Sequence, residues 1–193
     1  KIKRGDYSNI LYIIDRRNKS VLKHEYQEDC MPPPRWHHGS VLFNNKLLIY
    51  GGSRKGQPQS NVYHDSYIFD LEDFKWRPFE LSLPPRKLHS MLYLGKYIII
   101  IGGTYGKTQI IDIAKTENSQ TLLINAFSVG NFSPCNLKYS SAALMSTGDL
   151  FVLSGGHDDK TSFSSVFELY LPAIIKKSAQ DDRDSKKKQR SNT

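Results

Sequence analysis

The sequence predicts an all-β fold in which a four-stranded antiparallel sheet repeats about every fifty residues. Three observations carry the prediction. A glycine pair recurs at Gly51 and Gly52, Gly102 and Gly103, and Gly155 and Gly156, with spacings of 51 and 53 residues. An aromatic ring precedes each pair in phase: His38 lies 13 residues before Gly51, His89 lies 13 before Gly102, and Tyr139 lies 16 before Gly155. The three extra residues of the last copy fit its turn, Ser146, Thr147, Gly148 and Asp149. Proline-bearing connectors separate the copies, at Pro32 to Pro34, at Pro84 and Pro85, and at Pro134.

One copy is complete. Residues 38–43 form its first strand, and Asn44 with Asn45 turns the chain into a second at residues 46–50, because an Asn pair between β-rich runs marks a hairpin. The glycine pair and a polar loop follow, then a third strand at 66–71 and a fourth at 75–81 that carries Trp76. This pattern resembles the kelch-repeat β-propeller family. Its motif sets Arg and His before the first strand, a Gly pair after the second, a Tyr-Asp-like pair on the third and Trp on the fourth. Arg35, His38, Gly51, Gly52, Phe69, Asp70 and Trp76 match it. The next copy keeps Arg86, His89, Gly102 and Gly103, with Ile111 and Asp112 for the Tyr-Asp pair and no Trp, and the last keeps Gly155 and Gly156 with Tyr139 for the His. The resemblance covers about residues 6–171.

In chain order, residues 1–28 hold two strands, at 9–14 and 21–26, around a charged turn. Ile14 and Asp15 take the place of the third-strand pair, so this is the outer half of a first blade. Residues 29–81 are the complete blade, opened by the stiff Pro32 to Pro34 connector, where repeated Pro removes ladder donors and keeps each preceding residue extended. Residues 82–130 form a second complete blade, with strands at 89–94, 97–101, 109–113 and 121–127 and a Gly95-Lys96 turn. Its second strand is apolar throughout, as expected of a strand buried on both faces. Residues 131–172 form a partial last blade with strands at 140–144, 150–154 and 165–171. Residues 173–193 read as a disordered basic tail, since low hydrophobicity cannot offset ordering entropy. Propellers close with roughly 4–8 blades, and kelch members typically with about six or seven, so this is an incomplete ring. The resemblance implies that the missing blades come from the rest of the same protein or from another chain.

Composition narrows the function classes. The net charge of +8 is half tail, where Lys176, Lys177, Arg183, Lys186, Lys187, Lys188 and Arg190 face Asp181, Asp182 and Asp184. No apolar run approaches the ~20 residues of a membrane span. The first residue, Lys1, suggests an internal piece of a longer protein. Two cysteines, Cys30 and Cys135, are too few for a disulfide framework and favour a reducing compartment, so the expected location is the cytoplasm, or the nucleus if the tail is an import signal. The sequons at Asn18 and Asn131 carry little meaning without a secretory signal.

Nothing points to chemistry. The segment from Gly51 to Gly56 follows a strand without opening a helix and lacks a phosphate loop's Lys-Ser/Thr ending. The histidines at 24, 37, 38, 64, 89 and 157 are not at metal-ligand spacings, and the equivalent positions of His38 and His89 indicate blade packing. His157, Asp158 and Asp159 read as a turn. Galactose-oxidase-like copper enzymes share the repeat, but no candidate set for their copper and Cys-linked Tyr is present. No cofactor and no catalytic residue is expected.

Binding concentrates on loops of a rigid scaffold. In kelch propellers the loops between second and third strands and the inter-blade connectors share one face, which in several members grips an extended peptide. The resemblance places Arg35, Trp36, Arg54, Lys55 and Tyr63 there, together with Arg86, Tyr105, Lys107 and His157, while Arg35 and Arg86 equally suit a structural role, since the family motif includes that Arg. That basic, aromatic face suits an acidic or phosphorylated segment. The expected role is a non-catalytic protein-interaction scaffold or substrate-recognition propeller. The alternative from another class is nucleic-acid association through the cluster from Lys186 to Arg190.

Overall fold

The computed structural model describes residues 8–24, 30–54, 62–104, 109–113, 138–144, 150–153 and 166–169. They form antiparallel sheets of two to four strands, one per repeat. The first pairs β1 (Leu11–Asp15) with β2 (Ser20–His24). The second runs in the order β3 (Gly39–Phe43), β4 (Lys46–Tyr50), β5 (Ser66–Asp70), β6 (Lys75–Pro78). The third joins β7 (His89–Leu94), β8 (Tyr97–Gly102) and β9 (Gln109–Asp112), and the fourth joins β10 (Ser141–Leu144), β11 (Leu150–Leu153) and β12 (Val166–Leu169). The chain is therefore an incomplete propeller of kelch-type blades. The strand expected at 121–127 and the tail at 173–193 lie outside the described residues.

Local chemistry sets the turns. Asn44 and Asn45 both take positive φ, 43° and 58°, the state that a two-residue turn of this twist demands and that Asn tolerates. At the outer edge Asp15 accepts the backbone N–H groups of Arg17 and Asn18, and Asp70 accepts that of Glu72. Asp15 in the β1–β2 turn thus has the same duty as Asp70 in the β5–β6 turn.

The fourth strand is shorter than the expected 75–81. Phe79 still donates its N–H to the Ser66 carbonyl at 2.9 Å, and beyond it the chain leaves the ladder, with Leu81 and Leu83 in the core. That core lies between the second and third sheets: Val41, Phe43, Leu48 and Tyr50 meet Met91, Ile98, Ile100 and Ile111. Ile99 and Ile101, on the other face of β8, are also fully buried, so the in-out alternation is lost as expected. A smaller cluster of Ile49, Phe69 and Trp76 packs against Leu11 and Ile13 of the first sheet.

The glycine pairs have separate reasons for their two members. A Cβ on Gly51 would overlap the carbonyl oxygen of Arg86, in the connector to the next blade. A Cβ on Gly52 (φ 93°) would stand 2.8 Å from the carbonyl oxygen of Trp36, in the connector of its own blade. Gly103 repeats the second arrangement against Lys87.

One assignment moves by a residue. Tyr139 is not the counterpart of His38 and His89, because its backbone has the conformation and hydrogen bonding of His37 and Leu88. Ser140 then stands in the histidine position.

Candidate functional site

His37, Leu88 and Tyr139 lie 51 residues apart and share one backbone state, with φ of 55°, 64° and 63°. The Leu88 N–H donates to the His37 carbonyl at 2.9 Å, and the Tyr139 N–H donates to the Leu88 carbonyl at 3.3 Å. The starts of three successive blades are thus tied into an arc. Left-handed backbone in bulky residues costs about 1–3 kcal/mol each, so it persists only where the surroundings impose it.

The arc displays aromatic side chains. The Trp36 ring stacks on His37 at 4.1 Å, and His37 meets Tyr139 edge-on at 5.1 Å. Trp36 is 40% and Tyr139 51% exposed, so the strip faces solvent across the second and fourth sheets. Trp36 is fixed by exchanging backbone hydrogen bonds with Ser53, at 3.1 and 2.9 Å, and Arg54, the next residue, is exposed beside it. Partial burial, helped by the Lys87 charge, holds His37 below the usual imidazole range.

Other residues of the expected face turn out to be internal. Arg35 is buried: its Nη1 and Nη2 donate to both oxygens of Asp65 at 2.7 and 2.9 Å, Nη1 also to the Gly51 carbonyl at 2.9 Å, and Nε to the Pro33 carbonyl at 3.2 Å. Its guanidinium lies 4.5 Å from the Tyr63 ring centre and 5.2 Å from that of Tyr67. Burial and the adjacent Asp65 charge raise the Tyr67 phenol. Arg35 therefore clamps its connector to the end of β4, and Tyr63 lies against it. Arg86, 51 residues on, is fully buried, with its backbone accepting from Gly52 at 2.8 Å and donating to Tyr63 at 3.2 Å. Trp36 and Arg54 stay at the surface. Lys55, Tyr105, Lys107 and His157 lie outside the described residues, as do Gly155 and Gly156.

The two repeat histidines differ. His89 is 7% exposed, with its ring 5.1 Å from that of Tyr50, and a Cβ on Gly39 would stand 2.6 Å from its Cδ2. Burial, with the Arg86 charge second, lowers its pKa to about 3, so it is a neutral packing group at pH 7. His38 is exposed. Asp70 pairs with Lys46 at 3.6 Å and Arg77 at 3.8 Å, and Trp76 packs on Phe69 at 5.1 Å, so both serve the blade.

Sequence reasoning missed His37 and Tyr139 as surface residues. The 51-residue interval linking 37, 88 and 139 was the available signal, hidden because Leu88 breaks the aromatic pattern. Among the described residues no three His, Cys, Asp or Glu side chains gather as a metal site, and no helix is long and apolar enough to cross a membrane.

Comparison with known proteins agrees with this architecture. Residues 1–173 match the model of the KLHDC2/KLHL20/DRC7 Kelch-repeats domain. The chain is 29% identical over 153 residues to human Kelch domain-containing protein 3, which spans 77% of this chain and 39% of that protein. Protein ral2 of Schizosaccharomyces pombe is 34% identical over 70 residues, 35% of this chain and 12% of that protein. Human Kelch-like protein 30 is 27% identical over 84 residues, 44% of this chain and 14% of that protein. The chain thus spans well under half the length of these relatives.

Proposed function

Because the chain belongs to the KLHDC2/KLHL20/DRC7 Kelch-repeats domain family, whose members are typically protein-interaction modules, we propose that it is a non-catalytic recognition propeller that binds an extended segment of another protein. The supporting observation is the solvent-facing strip of Trp36, His37 and Tyr139 on a strained, hydrogen-bonded arc. Rigid aromatic rings supply contact area at low entropic cost and are common binding anchors. Arg54 at the strip's edge, with Lys87 in the adjoining connector, favours an acidic or phosphorylated segment. Further blades, from the same protein or another chain, complete the ring, and the expected setting is the cytoplasm, or the nucleus if the tail directs import.

An array of extended peptides graded in Asp, Glu and phosphoserine content tests the reading. Binding should rise with negative charge, weaken with salt, and vanish when Trp36, Arg54 and Tyr139 are all changed to Ala. Equal binding by that variant, confirmed as folded by circular dichroism, would remove the strip as the site.

A further inference from the structure

We propose that the cleft between the start of β5 and the connector after β6 takes an arginine side chain presented by a partner protein. Such a contact rests on the protein-recognition role proposed above but not on the aromatic strip. Two chains paired as a ladder diverge here. Phe79 donates its N–H to the Ser66 carbonyl at 2.9 Å, and the Ser66 hydroxyl donates to the Phe79 carbonyl. Continued in register, β5 and β6 would next join His64 to Leu81. That rung is not formed, and among the described residues the backbone of 80–83 makes no hydrogen bond. The chains splay instead around a cleft of about 260 Å³, with His64 and Asp65 on one side and residues 78–83 on the other. Drug-sized ligands occupy about 300–1,000 Å³, so this space suits a single side chain.

The cleft is rich in acceptors. Asp65 and Glu80 bring carboxylates, and none of the described residues lining it is Lys or Arg. Glu80 is exposed and makes no ion pair among the described residues. The wall between them is apolar, formed by Phe79 with buried Leu81 and Leu83. An occupant that brings donors without acceptors, on an apolar stem, is a lysine or an arginine. The chain itself shows which of them Asp65 accommodates. Arg35 donates to both of its oxygens at 2.7 and 2.9 Å, with the guanidinium 5.2 Å from the Tyr67 ring centre. Each carboxylate oxygen accepts more than one hydrogen bond, and the Asp65 side chain remains 31% exposed. Asp65 and Tyr67 both line the cleft as well. A planar fork with five donors serves several acceptors at once, which a compact ammonium does less well. A metal ion lacks ligands, since among the described residues no three His, Cys, Asp or Glu side chains gather.

NMR titration of the 193-residue chain with the peptide acetyl-Gly-Ser-Arg-Ser-Gly-amide tests the assignment, read at the amides of His64, Asp65, Glu80 and Ser82. Saturable shifts are expected there, with a Kd in the millimolar range. Citrulline in place of the arginine keeps the shape, removes the charge, and should weaken binding by about tenfold or more. Glu80→Gln should weaken the arginine peptide by about threefold to fivefold. Glu72→Gln changes the net charge equally at the opposite end of β5 and should leave the affinity unchanged. The proposal is overturned by the absence of saturable shifts at these amides, by equal binding of the citrulline peptide, by tighter binding of a lysine peptide, or by equal affinity in Glu80→Gln. Loss of acidic-peptide binding at Trp36 and Tyr139 does not move these amides, so the strip and the cleft fail separately.

Discussion

Changing Asp65 to Ala isolates the role of the buried arginine. The Arg35 side chain is 3% exposed and Asp65 is 31% exposed, and the two meet through a bidentate pair at 2.7 and 2.9 Å. Removing one partner of a buried pair costs about 3–5 kcal/mol, because the remaining charge stays desolvated. Water can reach the Asp65 site, and Arg35 keeps the Gly51 and Pro33 carbonyls, so the loss should fall at the low end. About 3 kcal/mol corresponds to a drop in Tm of about 6–12 °C for a domain of this size. Asp112→Ala is the control. Its pair with Lys96, at 3.0 Å with the lysine exposed, should be worth under about 1 kcal/mol. Urea denaturation followed by circular dichroism measures both. The reasoning fails if Asp65→Ala costs no more than Asp112→Ala, and fails equally if it abolishes peptide binding with stability intact, since Arg35 would then belong to the partner face.

Two further outcomes follow from His89. With its folded pKa at about 3, against an ordinary 6.5, the unfolded chain binds a proton between those values that the folded chain does not. Its contribution is therefore constant above pH 6.5, and stability should fall by about 1.4 kcal/mol per pH unit below it. The difference in slope between the wild-type chain and His89→Gln, from urea titrations at pH 7 and 5, measures this, and identical slopes would contradict it. Gly39→Ala should cost about 1–3 kcal/mol through overpacking against the His89 ring. Combining it with His89→Ala should give less than the sum of the two losses, and strict additivity would count against the contact.

The sheets were legible because their signals are local and repeated. The Asn44-Asn45 turn, the apolar run of β8 and the glycine pairs each dictate backbone geometry through residue type. Strand ends were less legible: nothing in the sequence shows that Leu81 and Leu83 prefer the inter-blade core to the ladder. The face was read least well. For Arg35 and Arg86 the motif left a surface and a structural role equally open, and the structural one holds: Arg35 is folded inward on a carboxylate and two carbonyls, and Arg86 is fully buried. Tyr139 looked like a substitute for the packing histidine because its ring is aromatic. Its backbone shows otherwise, and no composition rule reveals a positive φ at a tyrosine.

The claim beneath the whole account is that successive blades start on one hydrogen-bonded arc. Scalar coupling across the hydrogen bond from the Leu88 amide nitrogen to the His37 carbonyl carbon tests it most directly, with exchange of the Leu88 and Tyr139 amides read on the same sample. A resolved coupling and slow exchange of both amides are predicted. Absence of coupling, with both amides exchanging at solvent-exposed rates, would contradict it.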